Sequence, residues 1–376
     1  MTQIYQFSEV CEITMGQAPA GESYNTDGIG LPLIAGAGDF GDLHPAPKKF
    51  TTEVTRKCRK DDIVLGIRAS IGEKVWADKD YCLGRGVAGL RPRKGVDRNY
   101  LWHWLTQINP ELLSRAKGAT FKQVNKDDVG SLKIILPTFD EQCRIATILD
   151  KAESLRMKRR EAIVELDKLA QAIFIEMFGD PVTNSKGLPL SKLGDIGTLE
   201  RGISKHRPRN DPALLGGRYP LIQTGDVAQS EGRIRTYNQT YSELGLKQSR
   251  LWPKGTLCIT IAANIAKTGT LEFDACFPDS IVGFSAREPA TVIYVKAWME
   301  FLQKTIERNA PESAQKNINL EILRNLDVPY PSIEAQKEFA NRIAKINSQQ
   351  QLFEKAVSEA EFFFKSLQNK AFSREF

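Results

Sequence analysis

Apolar residues follow two different rhythms along this chain. From 141 to 178 they return at every third or fourth position, at Ile145, Leu149, Ala152, Leu155, Ile163, Leu166, Ala170 and Ile173. That spacing lines one face of an α-helix. The segment holds no Pro or Gly, and Gly179 and Pro181 supply its stop signal. At 1.5 Å per residue the predicted helix is roughly 55–60 Å long. A second seam of near-heptad spacing runs through Phe339, Ile343, Ile346, Phe353, Val357, Ala360, Phe364 and Leu367, with Gln350 interrupting it. A polar residue in such a seam fixes register. Two long helices with matching seams predict a mutual coiled coil; the alternative is that each packs only on its own domain. Connectivity makes an antiparallel pair the economical arrangement.

Outside these helices the apolar runs are short and β-rich, and the chain repeats itself. "GATFKQVNKDDVGSLKIILPTFDEQ" and "ESAQKNINLEILRNLDVPYPSIEAQ" align at an offset of 194, pairing Lys122 with Lys316, Asn125 with Asn319, Leu132 with Leu326, Pro137 with Pro331 and Gln142 with Gln336. At the same offset "DDIVLGIRASIGEKV" meets "GTLCITIAANIAKTG", each read as a buried strand entering a turn. "FSEVCEI" and "LSKLGDI" repeat near the two starts, as do "LPLIAGAGDF" and "YPLIQTGDV". Each half carries one internal helical pattern, at 98–113 and 292–309. The paired Asn residues read as caps or as surface contacts. The predicted fold is α+β: a domain over 1–140, a long helix over 141–179, a similar domain over 180–333 and a C-terminal long helix over 334–376.

Composition narrows the function only a little. A net charge of +6 and a pI near 8.9 permit a polyanionic partner without requiring one. Six scattered cysteines without a C-x-x-C pair argue against a zinc ribbon and suit a reducing, cytoplasmic setting. "MTQIYQFSEV" has no basic-then-apolar leader pattern, and no run reaches the roughly 18 apolar residues of a membrane span. No phosphate-cradling G-x-x-x-x-G-K-[ST] loop, Gly-rich cofactor loop or N-P-P-Y motif is found. Asp39-Phe40-Gly41 has no catalytic-loop H-R-D companion and reads as a turn. His44, His103 and His206 stand in unlike contexts and suggest neither a triad nor a metal site.

The order of these blocks resembles the specificity subunits of type I restriction–modification enzymes, over essentially the whole chain. The strand–Pro–Gln junctions "LKIILPTFDEQ" and "LDVPYPSIEAQ" carry the resemblance, together with "IFIEMFGDP" followed by a fresh "LPLSKLGDI". It implies two tandem, pseudo-symmetric target recognition domains, each reading one half of an asymmetric split site in double-stranded DNA. It also implies an antiparallel coiled coil that separates them and sets the gap. The subunit would not be catalytic. Two modification (methyltransferase) subunits and restriction/translocase subunits would dock on it; S-adenosylmethionine, ATP and Mg would belong to those partners, with no cofactor in this chain. A non-DNA coiled-coil scaffold with duplicated protein-binding domains is the competing reading, and an enzyme with an unrecognised site the third.

DNA contacts need Lys, Arg and hydroxyls for phosphates, and Arg, Asn, Gln or Lys on a firm loop for base edges. The candidates in the first domain are Lys48, Lys49, Arg68, Ser70, Arg85, Thr120, Lys122 and Gln123. In the second, Arg201, Lys205, Arg207 and Arg209 could draw in phosphates. There Gln223, Thr224, Asn264, Lys267 and Gln315 could probe bases, and Lys316 repeats the basic position of Lys122. The basic run "RMKRRE" on the central helix reads as a DNA-facing stripe or as a charged face in which Arg156 and Arg160 pair with nearby Glu.

Overall fold

The computed structural model describes residues 3–118, 122–206, 208, 210–262, 266–309 and 319–372. Thr120, Arg207, Arg209, Asn264, Gln315 and Lys316 therefore lie outside the described residues. The chain forms two compact units. Unit 1 is Met1–Glu161 with Glu354–Phe376, and unit 2 is Ala162–Phe353. Four helices matter most: α1 (Arg98–Ser114), α2 (Phe139–Phe178), α3 (Pro289–Asn309) and α4 (Ile333–Phe372). Both long helices contribute to both units.

In unit 1 an antiparallel sheet runs in the order Cys11–Met15, Val87–Pro92, Ile63–Gly66, Lys74–Trp76. Its central strand shows the two-residue period in its packing. Ile63 and Leu65 face a core shared with Tyr100, Trp104, Ile145, Leu149, Phe364 and Ala371, while Val64 faces a second core with Ile34, Tyr81 and Leu83. Burial on both faces explains why the strand is apolar throughout. A five-stranded sheet, ordered Tyr24–Asn25, Lys49–Thr51, Leu31–Ile34, Tyr81–Leu83, Lys57–Cys58, supplies the far side of that second core.

Unit 2 repeats the scheme. Thr198–Arg201, Ile281–Ser285, Leu257–Thr260 and Thr268–Leu271 stand in the matching order, with Arg233–Ile234 added in parallel. Leu257 and Ile259 face one core and Cys258 the other. The repeated residues have repeated tasks. Asn125 Oδ1 accepts from the Asp128 amide at 2.8 Å, and Asn319 Oδ1 from the Ile322 amide at 2.9 Å, so both are helix caps. Gln142, 1% exposed, donates to the Pro137 carbonyl at 3.0 Å; Gln336, fully buried, donates to the Pro331 carbonyl at 2.8 Å. Tyr100 and Tyr294 donate their hydroxyls to the carbonyls of Ile135 and Pro329.

Within each unit the long helices pair antiparallel. In unit 1 Arg159 donates to the Ala356 carbonyl at 2.8 Å and Arg160 pairs with Glu361. In unit 2 Gln350 donates to Asp167 at 2.6 Å, Arg342 lies 3.8 Å from Glu176, and Phe339 packs on Phe178 and Phe174. The polar break at Gln350 thus meets a specific partner. All eight seam residues expected on α4 are at least half-buried. On α2 one expectation fails: Leu155 is half exposed, at 50%. The strict three-four stepping from Ala152 to Ile163 passes through Arg156 and Arg159. Arg156 lies over the Phe364 ring and bonds Glu153, while Arg159 caps the Ala356 carbonyl, so these two arginines fill the inward positions and Leu155 turns out. "RMKRRE" is accordingly helix-packing chemistry at three of its four basic residues. Phe174 and Phe178, absent from the predicted seam, are its most buried members in unit 2.

Candidate nucleic-acid interface

In unit 1 three backbone segments meet where strands end. Strand Ile63–Gly66 enters a tight loop whose turn is closed by the Gly66 amide on the Glu73 carbonyl at 2.7 Å and the Gly72 amide on the Gly66 carbonyl at 3.0 Å. Ala69 and Gly72 take positive φ, at 50° and 91°. This loop carries Arg68 and Ser70. The Ile67 amide donates to the Gly86 carbonyl at 2.9 Å, which joins it to the turn of Arg85. The Val124 amide donates to the Ile67 carbonyl at 3.1 Å, and Arg68 and Gln123 face each other as bridge partners, which adds the bridge between Lys117 and Gln123. The fold thus brings together Arg68, Ser70, Arg85, Lys122 and Gln123, five candidates separated by up to 55 residues.

Their charges are free. Arg68, Arg85 and Lys122 are exposed, and none has a hydrogen-bond, ion-pair or ring partner for its side chain among the described residues. Most arginines elsewhere are occupied: Arg91 by Asp62, Arg98 by Asp61, Arg115 by Glu111, Arg250 by Glu200. The acid that flanks the Lys117–Gln123 bridge is itself engaged. Asp128 receives the Asn125 amide at 2.9 Å and lies 3.2 Å from Lys117, and these bonds hold its carboxyl below the usual range. Lys49 lies opposite Leu33 on the strand that leads into Ala35, and Lys48 precedes it; both are exposed. Sequence reasoning passed over Arg56. It is exposed, its side chain has no partner among the described residues, and its carbonyl receives the Leu83 amide at 2.7 Å, at the end of the strand Tyr81–Leu83 that leads into Arg85. The basic run "RKCRK" at 56–60 was the available signal.

Unit 2 builds the same turns with other side chains. The Thr260 amide donates to the Lys267 carbonyl at 3.0 Å and the Ala266 amide to the Thr260 carbonyl at 2.9 Å; the Ile261 amide reaches the Ser280 carbonyl at 3.0 Å. Ala266, at the position of Gly72, also has positive φ, at 61°. Arg68 is matched by Ala262 and Arg85 by Asp279. The described residues of the basic loop here are tied down. Arg201 Nε donates to the Asp279 carbonyl at 2.8 Å, and the amides of Lys205 and His206 both donate to Gln248 Oε1. His206 lies 3.0 Å from Asp211, whose carboxyl is held down by the Ala213 amide and by His206. Gln223 donates to Gln239 at 3.2 Å, and Thr224 opens the short helix Thr224–Ala228. Lys267 is half-buried and lines a cleft of about 730 Å³. The charges along that cleft are mixed, including Lys296 bonded to Glu300 at 2.7 Å, so it does not form a cationic track.

Among the described residues no group of three or more His, Cys, Asp or Glu side chains is placed to hold a metal ion, and no helix is long and apolar enough to cross a membrane.

The family model for the type I restriction modification DNA specificity domain matches residues 2–165 and 186–360. The chain is 34% identical over 163 residues to a protein of Methanocaldococcus jannaschii named as the MjaX specificity subunit of a type I restriction enzyme; the match covers 43% of this chain and 38% of that one. It is 24% identical over 226 residues to the MjaIX specificity subunit of the same organism, covering 54% and 51%. The chain thus spans about half or less of the length of these two relatives. Its fold is shared with the S subunit of a type I restriction–modification system from M. genitalium, with a TM-score of 0.61 at 16% identity over 99% of this chain and 96% of the other.

Proposed function

Because the chain belongs to the type I restriction modification DNA specificity domain family, we propose that it is the subunit that selects the DNA sequence for such an enzyme. Each unit reads one part of a two-part duplex site. The methyltransferase and restriction subunits that act there are separate chains, and S-adenosylmethionine, ATP and Mg serve those chains. One observation carries the reading: a similar backbone scheme of turns occurs in both units, and the side chains set on it differ. Arg68, Arg85 and Lys122 in unit 1 form a cationic surface, unpaired among the described residues, of the kind that attracts phosphates. A scaffold for protein partners would need no such surface, and no relative described above favours that role. Because Arg68 and Arg85 correspond to Ala262 and Asp279, the two parts of the site are different sequences. The test is methylation mapping in a host that carries this chain together with a type I modification subunit. The expected result is one asymmetric, interrupted motif that disappears when this chain is deleted. A palindromic motif would remove the asymmetry; methylation that persists unchanged without the chain would remove the proposal.

A further inference from the structure

The backbone around Arg85 is more constrained than that of an ordinary surface loop. A Cβ on Gly84 would stand 2.8 Å from Ala35 Cα and 2.9 Å from the Ile34 carbonyl oxygen. One on Gly86 would stand 2.5 Å from the Ala35 carbonyl oxygen and 2.7 Å from Gly36 Cα. Gly16 closes on the same place from the other side, where a Cβ would come within 2.1 Å of the Gly84 carbonyl oxygen. Three glycines therefore let chain segments cross in contact, and the crossing is fastened by the Gly84 amide on the Ile34 carbonyl at 2.8 Å, the Gly86 amide on the Ala35 carbonyl at 3.0 Å and the Gly16 amide on the Val87 carbonyl at 2.9 Å. Leu83 and Val87, on either side, are fully buried. At the centre of this fastened Gly–Arg–Gly turn one long side chain projects, exposed and without a partner among the described residues.

A phosphate clamp tolerates a flexible stem, because a point charge needs only proximity. A bidentate base contact needs a guanidinium whose root does not move. Resting on the DNA-selecting function proposed above, we propose that Arg85 is a base-reading residue of unit 1 that selects a guanine through its O6 and N7 edge. Arg68 and Lys122, on the two neighbouring segments, supply positive charge beside it. The equivalent turn in unit 2 keeps the Ile281 amide on the Pro278 carbonyl at 3.0 Å and the Gly202 amide on the Ile281 carbonyl at 2.8 Å, but has Pro278 and Ser280 in place of Gly84 and Gly86 and carries a half-buried Asp279 where unit 1 has Arg85. Unit 2 therefore has no arginine at this position, and a guanine contact of this kind belongs to unit 1.

The test is enrichment from a library of randomised DNA duplexes at fixed salt, using the full chain with the modification subunits it is proposed to serve. Wild type, Arg85→Ala and Arg85→Lys are compared. Both substitutions should flatten one guanine column in one part of the enriched motif, erasing a preference of roughly 5- to 150-fold. The other part, read by unit 2, should remain and so report an intact fold. An unchanged motif with uniformly weaker binding for Arg85→Ala, a salt slope smaller by about 0.9 and near-normal Arg85→Lys would make Arg85 a phosphate contact and overturn the inference. Unchanged motif and affinity in both variants would also overturn it. If wild type enriches no motif at all, the DNA-selecting function falls, and this assignment with it.

Discussion

Gln142 offers the sharpest test of how the repeated strand–Pro–Gln junction works. Its side chain, 1% exposed, accepts the Asp97 amide at 2.9 Å and donates to the carbonyls of Gly95 at 3.2 Å and Pro137 at 3.0 Å. Asp97 is itself the cap of α1, bonding the Tyr100 amide at 2.8 Å. One amide group therefore ties the start of α2 to the start of α1 and to the end of the preceding strand. Replacing it with alanine removes three hydrogen bonds worth about 1 kcal/mol each and leaves their partners in a dry pocket, for a loss of about 2–4 kcal/mol. A folded domain holds only about 5–15 kcal/mol in total. For a unit of this size the melting temperature should fall by about 4–16 °C. Gln142→Leu separates the causes: it keeps the volume and still forfeits the bonds, so it should recover only the packing part of the loss. Amide exchange reads the bond directly, since the Asp97 amide should lose protection in both variants. The twin substitution Gln336→Ala costs unit 2 its bonds to Thr291 Oγ1 at 2.7 Å and the Pro331 carbonyl at 2.8 Å, and should act on unit 2 independently. If Gln142→Leu stays within about 0.5 kcal/mol of wild type and the Asp97 amide remains protected, the junction is not held by this side chain.

Three further outcomes follow from the packing. Phe174→Ala, at a fully buried ring in contact with Phe178, Tyr294, Phe301 and Phe339, should cost about 3–5 kcal/mol in urea unfolding, and Leu155→Ala on the exposed side of the same helix should cost under about 1. Cys143 is the one cysteine that is not buried; mass spectrometry after brief alkylation should find it labelled first, with Cys11, Cys58, Cys82, Cys258 and Cys276 protected until unfolding. Lys74 sits 4.4 Å from the Trp102 ring centre with Nζ 2.7 Å from Thr106 Oγ1, and burial pushes its ammonium down from 10.5 to about 8. The unfolded chain then binds the proton more tightly than the folded one, so unfolding free energy should rise as pH climbs from about 8 to 10.5, and Lys74→Met should abolish that rise.

Local pattern alone determined the duplication, the two long helices and the buried central strands. Each of these depends on residues near in sequence: a three-four period for a stripe, an apolar run for a strand buried on both faces, a Gly–Pro stop. Capping by Asn125 and Asn319 was legible as one of two options for the same reason, since a cap reaches only three residues along the chain. The burial of Gln142 and Gln336 was not legible, because a glutamine is buried only when distant backbone groups come to meet it. The seam of α2 shows where pattern reading went astray. Choosing the leucine at 155 over the arginines at 156 and 159 followed hydropathy against period, and the structure kept the period, since a long arginine stem can lie in an apolar groove while its head finds a carbonyl or a carboxylate. The candidate interface shows the same limit from the other side. Sequence supplied Arg68, Arg85 and Gln123 as separate guesses. Only the fold could join them, because the bonds that do so run between segments as far apart as Ile67 and Val124, and only the crossing of Gly16, Gly84 and Gly86 with Ala35 distinguishes the fixed arginine from those on ordinary loops.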